Sequence, residues 1–591
     1  MVIALVFLLK LFRLQVLDAT YKQFATRNVL REMVQYPARG LIFDRNGKLL
    51  VYNKAAYDLL ITPREVTTFD TTYLCNLLEL TREELESRIK EASDYSRYKS
   101  SILVKQISPE INAVLQEKLY KFRGFQTQSR TLREYSYPNA AHVLGYVGEV
   151  SQNDIKRDKY YGMGDYIGKS GIENSYEKEL RGTKGIKKFL VDVHNRIKGN
   201  YLGGQENLPA KIGSNIVSSL DIELQRYAEE LMQNKIGSVV AIEPSTGQIL
   251  ALASAPTYDP ALLVGRVRGN NYAKLYSDTL MPFFNRALQA KYPPGSTFKG
   301  LNALVALQEN TITTRTQFSC AGPGSLPIRC THNHVTPLNV INAIRESCNP
   351  FFWNTFKSII SKPEQADDGY TLWRNHVLKF GIGKKIGTDL IIENEGFVPE
   401  ESYYNRYYGE HRWNALTVRS LAIGQGELGV TPLQLANYCA SVANRGYYYI
   451  PHIIKDIEDG SIDSRFKTKN FVGIDTAYFE PVIQGMQMVV EETNSGVYFM
   501  RIPGIEMCGK TGTAENPHGE DHSVFMAFAP KDDPKIAISV YVENSGYGAV
   551  WAAPIASLLV EKYLTGTISS SRKRVVKRIL DADFINPDKS N

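Results

Sequence analysis

The chain has 591 residues, 43% of them hydrophobic and 22% charged. That length exceeds one compact core and calls for two or three domains, and the composition excludes a disordered chain. The formal net charge of +7 fits a solvated basic surface, or an envelope protein near anionic polymers. With no dense basic stripe interleaved with aromatics, it gives no support to nucleic-acid binding.

In chain order, residues 2–9 are an unbroken apolar run that continues through Leu11, Phe12, Leu14, Val16 and Leu17, interrupted by Lys10, Arg13 and Gln15. The run is shorter than the ~20 residues of a full membrane span and has no small-residue cleavage site after it. Residues 1–17 are therefore read as a partial, uncleaved transmembrane signal anchor, with a buried core helix as the alternative. Asn46-Gly47, between the apolar segments 42–43 and 49–51, predicts a tight hairpin. About residues 70–120, charged and with Leu74, Leu77, Leu78, Leu85 and Ile89 at helical spacing, read as a helical insertion. The Gly/Asn-rich stretch 199–213 reads as a linker. These features make 18–210 one mixed α/β domain.

A second domain, 211–565, begins with a strand-like segment at 215–220 and Asp221 as the N-cap of a helix carrying Leu224, Ala228, Leu231 and Met232 on one face. Residues 239–242 and 249–252 flank Pro244-Ser245-Thr246-Gly247, and 524–529 and 536–542 flank a second turn. Two such hairpins enclosing a helix-rich middle predict an α+β domain with an antiparallel sheet backed by helices. Residues 566–591 are a basic polar tail.

Ser-x-x-Lys is a weak pattern that recurs in this chain, at Ser96, Ser175, Ser464 and Ser570 among others. Context singles out Ser296. Pro293-Pro294-Gly295 precede it and cannot extend a helix backward, and Phe298, Leu301, Leu304 and Val305 follow at helical spacing. Ser296 and Lys299 then share a face at the first turn of a partly buried helix. A serine hydroxyl needs a base, and a lysine serves when burial or a nearby cation lowers its pKa. The bland alternative is an N-capping serine beside a solvated lysine. Ser347-Cys348-Asn349 could supply a hydroxyl to relay a proton to a leaving amine and an amide to hold Lys299 and the substrate, or could merely cap the helix after Pro350. Lys510-Thr511-Gly512-Thr513 occurs once. Gly512 would let a ligand lie along a strand edge, Lys510, Thr511 and Thr513 could bind a carboxylate, and the N–H groups of Ser296 and Thr513 would form an oxyanion hole. Alone, that segment is a polar edge strand.

Together, and in this order, the three motifs resemble those of the penicillin-binding proteins and serine β-lactamases. Residues 39–47 and Gly168-Lys169-Ser170-Gly171-Ile172-Glu173 with Tyr176, Leu180, Arg181 and Gly182 look like the family's N-terminal pedestal signatures. Residues 250–260, Tyr292 to Lys299 and Gly424-Gln425-Gly426 look like those of its transpeptidase domain. The resemblance covers nearly the whole chain and is strongest to the elongation-specific class B members. Many relatives carry a tryptophan where Val524 stands. The fold implied is α+β: a β-lactamase-like transpeptidase domain after an elongated mixed α/β pedestal of the dimerisation type and a membrane anchor helix. The reaction implied is peptidoglycan D,D-transpeptidation. Ser296 would attack a D-Ala-D-Ala stem peptide, an amine of a neighbouring stem would resolve the acyl-enzyme, and β-lactams would acylate Ser296. No cofactor is implied for catalysis. The implied partners are stem peptides, a membrane SEDS glycosyltransferase and a rod-complex scaffold, with the catalytic domain on the periplasmic or outer side of the inner membrane. Competing readings are a membrane-anchored β-lactam sensor, a non-catalytic cell-wall scaffold and a β-lactamase.

Cys320, Cys330, His332 and His334 form a compact Cys/Cys/His/His set of the kind zinc favours. They lie between Lys299 and Ser347, where the resemblance implies a structural zinc. A Cys320–Cys330 disulfide and unlinked loop residues are the alternatives.

Overall fold

The computed structural model describes residues 30–192, 197–493 and 495–586, with Val6, Phe7, Lys10, Phe12 and Arg13 near the start of the chain. Most of the expected anchor, 1–17, lies outside the described residues. Among the described residues no helix is long and apolar enough to cross a membrane.

The N-terminal domain is organised around one long strand. β1 (Ile42–Phe43) turns into β2 (Leu49–Ile61) through Gly47, whose φ of 82° suits glycine. One carboxylate oxygen of Asp44 accepts from the N–H groups of Asn46 and Lys48, each at 2.8 Å, and fixes that turn. The expected helical insertion contains α1 (Thr71–Leu78) and α2 (Arg82–Tyr95), the latter entered through a Thr81/Glu84 capping box. It also contains a strand, β3 (Ser101–Ile107), before α3 (Pro109–Lys118). Residues 102–104 are too short an apolar run for periodicity to decide. What decides is the free side of β2, against which β3 pairs. Leu74, Leu78, Leu85, Leu103, Leu115 and Phe122 close a small separate core there. β4 (Phe125–Tyr135) pairs with β2 from Ile61↔Phe125 to Val51↔Tyr135. The stretch expected as a linker is tied down. Strand Ile197–Asn200 pairs with Gly185–Val191, and Leu208 and Lys211 bridge to Ile186 and Thr183.

The sheet does not stop at the domain boundary. β5 (Ile216–Ser218), the first strand of the second domain, runs parallel to β1 and antiparallel to Ile454–Ile457. Asp221 then accepts from the N–H groups of Glu223 and Leu224 and starts α4 (Ile222–Leu231). The hairpin of β6 (Gly237–Ile242) and β7 (Ile249–Ala255) forms as the turn residues predict. The helical middle includes α5 (Lys299–Gln308), α6 (Val340–Arg345), α7 (Asn349–Ile360), α8 (Pro432–Ala443) and α9 (Phe479–Glu491). Then come β8 (Cys508–Ala514), β9 (His522–Ala529) and β10 (Ile536–Val542), followed by α10 (Ala552–Thr565) and α11 (Lys573–Asp581). The five strands order as β7-β6-β10-β9-β8, all antiparallel. Their side chains alternate between two buried cores. Leu250, Phe525 and Ile538 face α4 and α10, and Leu252, Val524 and Met526 face the helical middle. This topology leaves β8, which carries Lys510 to Thr513, as an edge strand.

Candidate active site

Ser296 sits in a 3-10 turn, Gly295–Phe298, that leads into α5. The hydroxyl of Thr297 donates to the carbonyl of Pro294 at 2.6 Å, and the N–H of Gly295 donates to the carbonyl of Gly424 at 2.8 Å. Gly295 has φ 57°, and a Cβ there would lie 2.6 Å from the carbonyl oxygen of Thr513. Only glycine lets the nucleophile's turn abut the edge of β8 so closely. The core side of α5 buries Phe298, Leu301, Leu304 and Val305 and carries Lys299 inward with them, fully buried.

The Lys299 ammonium donates to the carbonyl of Ser347 at 2.7 Å, to Oγ of Ser347 at 3.1 Å and to Oδ1 of Asn349 at 2.6 Å. Burial lowers its pKa to about 7, against the opposing pull of Cys330 and Cys348. From the other side, buried Lys510 donates to Oγ of Ser347 at 3.0 Å and to the carbonyl of Thr511 at 3.1 Å. Burial first, and then the charge of Lys299, hold Lys510 well below the usual lysine range. Ser347 therefore bridges two lysines. It does so from a left-handed backbone, φ 54°, which is uncommon for a non-glycine residue and typical of strained functional positions. Its two acceptor sites are taken, so its own proton points elsewhere, and the residue lines the open groove.

The groove is about 500 Å³. Ser296, Ser347, Asn349, Thr511, Gly512 and Thr513 all line it, so the structure brings the three motifs to one place. Asn349 differs from expectation in one respect. Its Oδ1 holds Lys299, but its amide nitrogen donates to the carbonyl of Arg329 at 2.8 Å instead of facing a substrate. Gln425, which has a role the motifs did not disclose, donates from Nε2 to the carbonyl of Thr513 at 2.9 Å. With Gly424 holding Gly295, the segment Gly424-Gln425 clamps the nucleophile's turn to the edge strand. The one sequence signal was that this segment looked like a family signature.

Next to this centre, one donor atom each from Cys320, Cys330, His334 and Cys348 lie within 4.8 Å of one another. Three of the four expected ligands are present. The fourth is not His332, whose Nε2 lies 3.2 Å from Glu346 at the groove rim. Cys348 takes its place, because the N-terminus of α7 returns beside the loop that carries the other three. All six cysteines are free, so Cys320 and Cys330 do not form a disulfide. Three soft thiols and an imidazole suit a tetrahedral zinc. The hydrogen bond between the two thiols is the main cause lowering the Cys330 pKa and raising that of Cys348, so one proton is shared by the pair and Cys330 is the one favoured as the thiolate that a metal takes. The ring of His334 donates from Nδ1 to the carbonyl of Val335 at 2.9 Å, leaving Nε2 as the donor atom, 3.6 Å from Sγ of Cys330.

Residues 237–561 match the family described as penicillin binding protein transpeptidase domain. The chain belongs to that family. Residues 34–218 match a second description, penicillin-binding protein dimerisation domain, which corresponds to the N-terminal domain. The pairing of the two domains is that of a class B penicillin-binding protein. The peptidoglycan D,D-transpeptidase MrdA of Acinetobacter baumannii is 33% identical over 92% of this chain and 83% of its own length. A penicillin-binding protein PBP2 from Helicobacter pylori, solved in complex with MreC, is 25% identical, covers 91% of this chain and 100% of its own, and superposes with a TM-score of 0.73. A chain from the structure of a peptidoglycan synthase complex that coordinates polymerization and crosslinking is 26% identical, covers 96% of this chain and 97% of its own, and superposes with a TM-score of 0.71.

Proposed function

We infer that this penicillin-binding protein is a serine-type peptidoglycan D,D-transpeptidase that cross-links stem peptides during cell elongation. The observation that carries the reading is the Lys299–Ser347–Lys510 bridge beside Ser296. It supplies a buried base, a proton relay and a cation in one groove. In the forward step Lys299, neutral, takes the proton of Ser296 as Oγ attacks the carbonyl carbon of the penultimate D-Ala. The N–H groups of Ser296 and Thr513 face the oxyanion that forms. Collapse breaks the C–N bond, and the leaving amine takes a proton delivered through Ser347. The product is an acyl-enzyme and free D-Ala. An amine of a neighbouring stem then attacks the ester and loses a proton to the same groups, and Ser296 regains its own. With water as the acceptor, the same site would act as a D-Ala-D-Ala carboxypeptidase. Lys510, Thr511 and Thr513 bind the terminal carboxylate, and Gly512 lets β8 lie against the turn that carries Ser296, since a Cβ there would come within 2.9 Å of the Pro294 carbonyl oxygen. A β-lactam presents a comparable carbonyl and carboxylate, and acylates Ser296 without a departing amine.

The division supported is a pedestal over 18–210, a transpeptidase domain over 211–565 and a basic C-terminal segment over 566–591, behind a single-pass inner-membrane anchor at 1–17. Cys320, Cys330, His334 and Cys348 would hold a structural zinc, pinning their loop to the Ser347-Cys348-Asn349 motif. Two partners are supported: a rod-complex scaffold, since one structural neighbour was solved with MreC, and a glycosyltransferase, since another belongs to a peptidoglycan synthase complex that coordinates polymerization and crosslinking. The test is to treat the full chain with a labelled penicillin and digest it. Stable label on the Ser296 peptide, lost in Ser296→Ala, is expected. No label, or rapid turnover of the label, overturns the reading. Metal analysis of protein purified without chelator is expected to find one zinc per chain, lost in Cys348→Ser.

A further inference from the structure

The C-terminal segment is a built element. Arg572, buried, donates to Glu561 at 2.8 Å and to Oγ of Ser557 at 2.8 Å just before α11 begins. At the other end Lys235, fully buried, donates to the carbonyl of Ile579 at 2.7 Å and to that of Ala582 at 3.2 Å. Two buried cations thus anchor a helix of nine residues. Between these anchors α11 divides its faces. Val575, Val576, Ile579 and Leu580 pack on the core under α4 and α10, while Lys573, Arg574, Lys577 and Arg578 are exposed. Among the described residues, no carboxylate forms an ion pair with any of these four.

One chain segment links this helix to the catalytic groove. Gly548 packs against β8 so closely that a Cβ would lie 2.4 Å from the carbonyl oxygen of Gly512. Its neighbours Tyr547 and Ala549 line the groove. Two residues on, the carbonyl of Val550 accepts from the Arg578 guanidinium at 3.0 Å, and that guanidinium lies over the Trp551 ring at 5.5 Å. The segment 547–551 therefore joins the Lys-Thr-Gly strand directly to α11.

We propose that the exposed face of α11 is an exosite for the anionic peptidoglycan strand whose stem peptide occupies the groove. The inference rests on the transpeptidase reading. A strand carrying many uncross-linked stems presents one terminal carboxylate per stem. With one stem held at Ser296, its neighbours are offered to the four cations at high effective concentration. The exosite adds no chemistry; it keeps a polymer on the enzyme between successive cross-links.

The experiment is co-sedimentation of the full chain with purified sacculi at about 50 and about 300 mM salt. It compares wild type with a variant carrying Lys573→Glu, Arg574→Glu and Lys577→Glu, and with the milder Gln triple variant at the same positions. Arg578 is left in place because it holds Val550. Wild-type binding that weakens with salt, and that falls about tenfold in the Glu variant and less in the Gln variant, is expected. Labelled-penicillin acylation of Ser296 should be unchanged in both, which shows that they are folded. Equal sedimentation of all three proteins overturns the exosite. So does a Glu variant that loses as much binding to anionic phosphatidylglycerol vesicles as it loses to sacculi, because it would assign the face to a lipid surface; the anchor, common to all three proteins, cancels in that difference. Failure of wild-type acylation would instead defeat the transpeptidase reading and is read separately.

Discussion

At the scale of single residues, the site depends on where two lysines sit. In the mechanism proposed above Lys299 acts as the base only when neutral, and burial brings its pKa to about 7. Acylation by a labelled penicillin should therefore fall about tenfold per pH unit below pH 7 and level off above it. The sign is that of a cation destabilised by burial: the proton lost near neutrality is the one that blocks catalysis. Lys510 is shifted in the same direction. A flat profile from pH 5 to 8 would remove Lys299 as the base without touching Ser296 as the nucleophile. Gln425 lines the groove and holds Thr513 through its carbonyl. Gln425→Ala should lower the acylation rate about tenfold by loosening the oxyanion strand, while Gln425→Glu, which cannot donate to the carbonyl, should behave like the alanine variant. A rate unchanged in both would show that β8 holds itself.

At the scale of elements, the catalytic centre joins four pieces: the turn before α5, the N-terminus of α7, the edge of β8 and the loop 318–338. The first three were legible because each carries its own local signal. Pro-Pro-Gly stops a helix, Ser-x-Asn precedes a proline at a helix start, and Lys-Thr-Gly lies between an apolar segment and a strand. The loop was half legible. Cys320, Cys330 and His334 stand close in sequence, but Cys348 belongs to another motif, and only the tertiary return of α7 puts its thiol beside them. His332 alternates with His334 and would share its side only in an extended strand, which this irregular loop does not form. The strand β3 was missed for a similar reason, since its apolar run is short and its partner, β2, lies 40 residues earlier. Removing metal should report on this loop directly. After chelation, limited proteolysis is expected to cut within 318–338 and penicillin acylation to slow, because Arg329, from the same loop, holds the Asn349 amide that orients Lys299. Zinc, added back, should reverse both effects. Acylation that is indifferent to chelation while zinc is shown to leave would restrict the metal to the loop itself.

At the scale of the whole molecule, the pedestal is joined to the transpeptidase domain by more than a linker. The parallel pairing of β1 with β5 carries backbone hydrogen bonds across the boundary, and Gly40 packs so tightly on Ser214 that a Cβ would lie 1.8 Å from its carbonyl oxygen. Glu229 of α4 accepts from the side chain of Asn139 and the N–H of Ala140, both at 2.7 Å. Asp389 is the most connected of these joints. It accepts the Tyr176 hydroxyl of the pedestal at 2.7 Å, and the N–H groups of Ile453 and Ile454 at 2.9–3.0 Å on the strand that pairs with β5. One carboxylate thus fixes a pedestal helix turn to the sheet that continues into the catalytic domain. Asp389→Ala leaves a phenol and two amides without their acceptor, a loss of about 2–4 kcal/mol. Because the loss falls at the boundary, cooperativity should fail before either core does. Calorimetry of Asp389→Ala is expected to resolve two transitions where the wild type gives one, with the lower one assigned to the pedestal. Penicillin acylation at Ser296 should stay near wild type in the same protein, since no group of the groove touches Asp389. A single transition shifted as a whole would mean that the sheet carries the coupling alone; two transitions with lost acylation would mean that the pedestal holds the catalytic centre in shape.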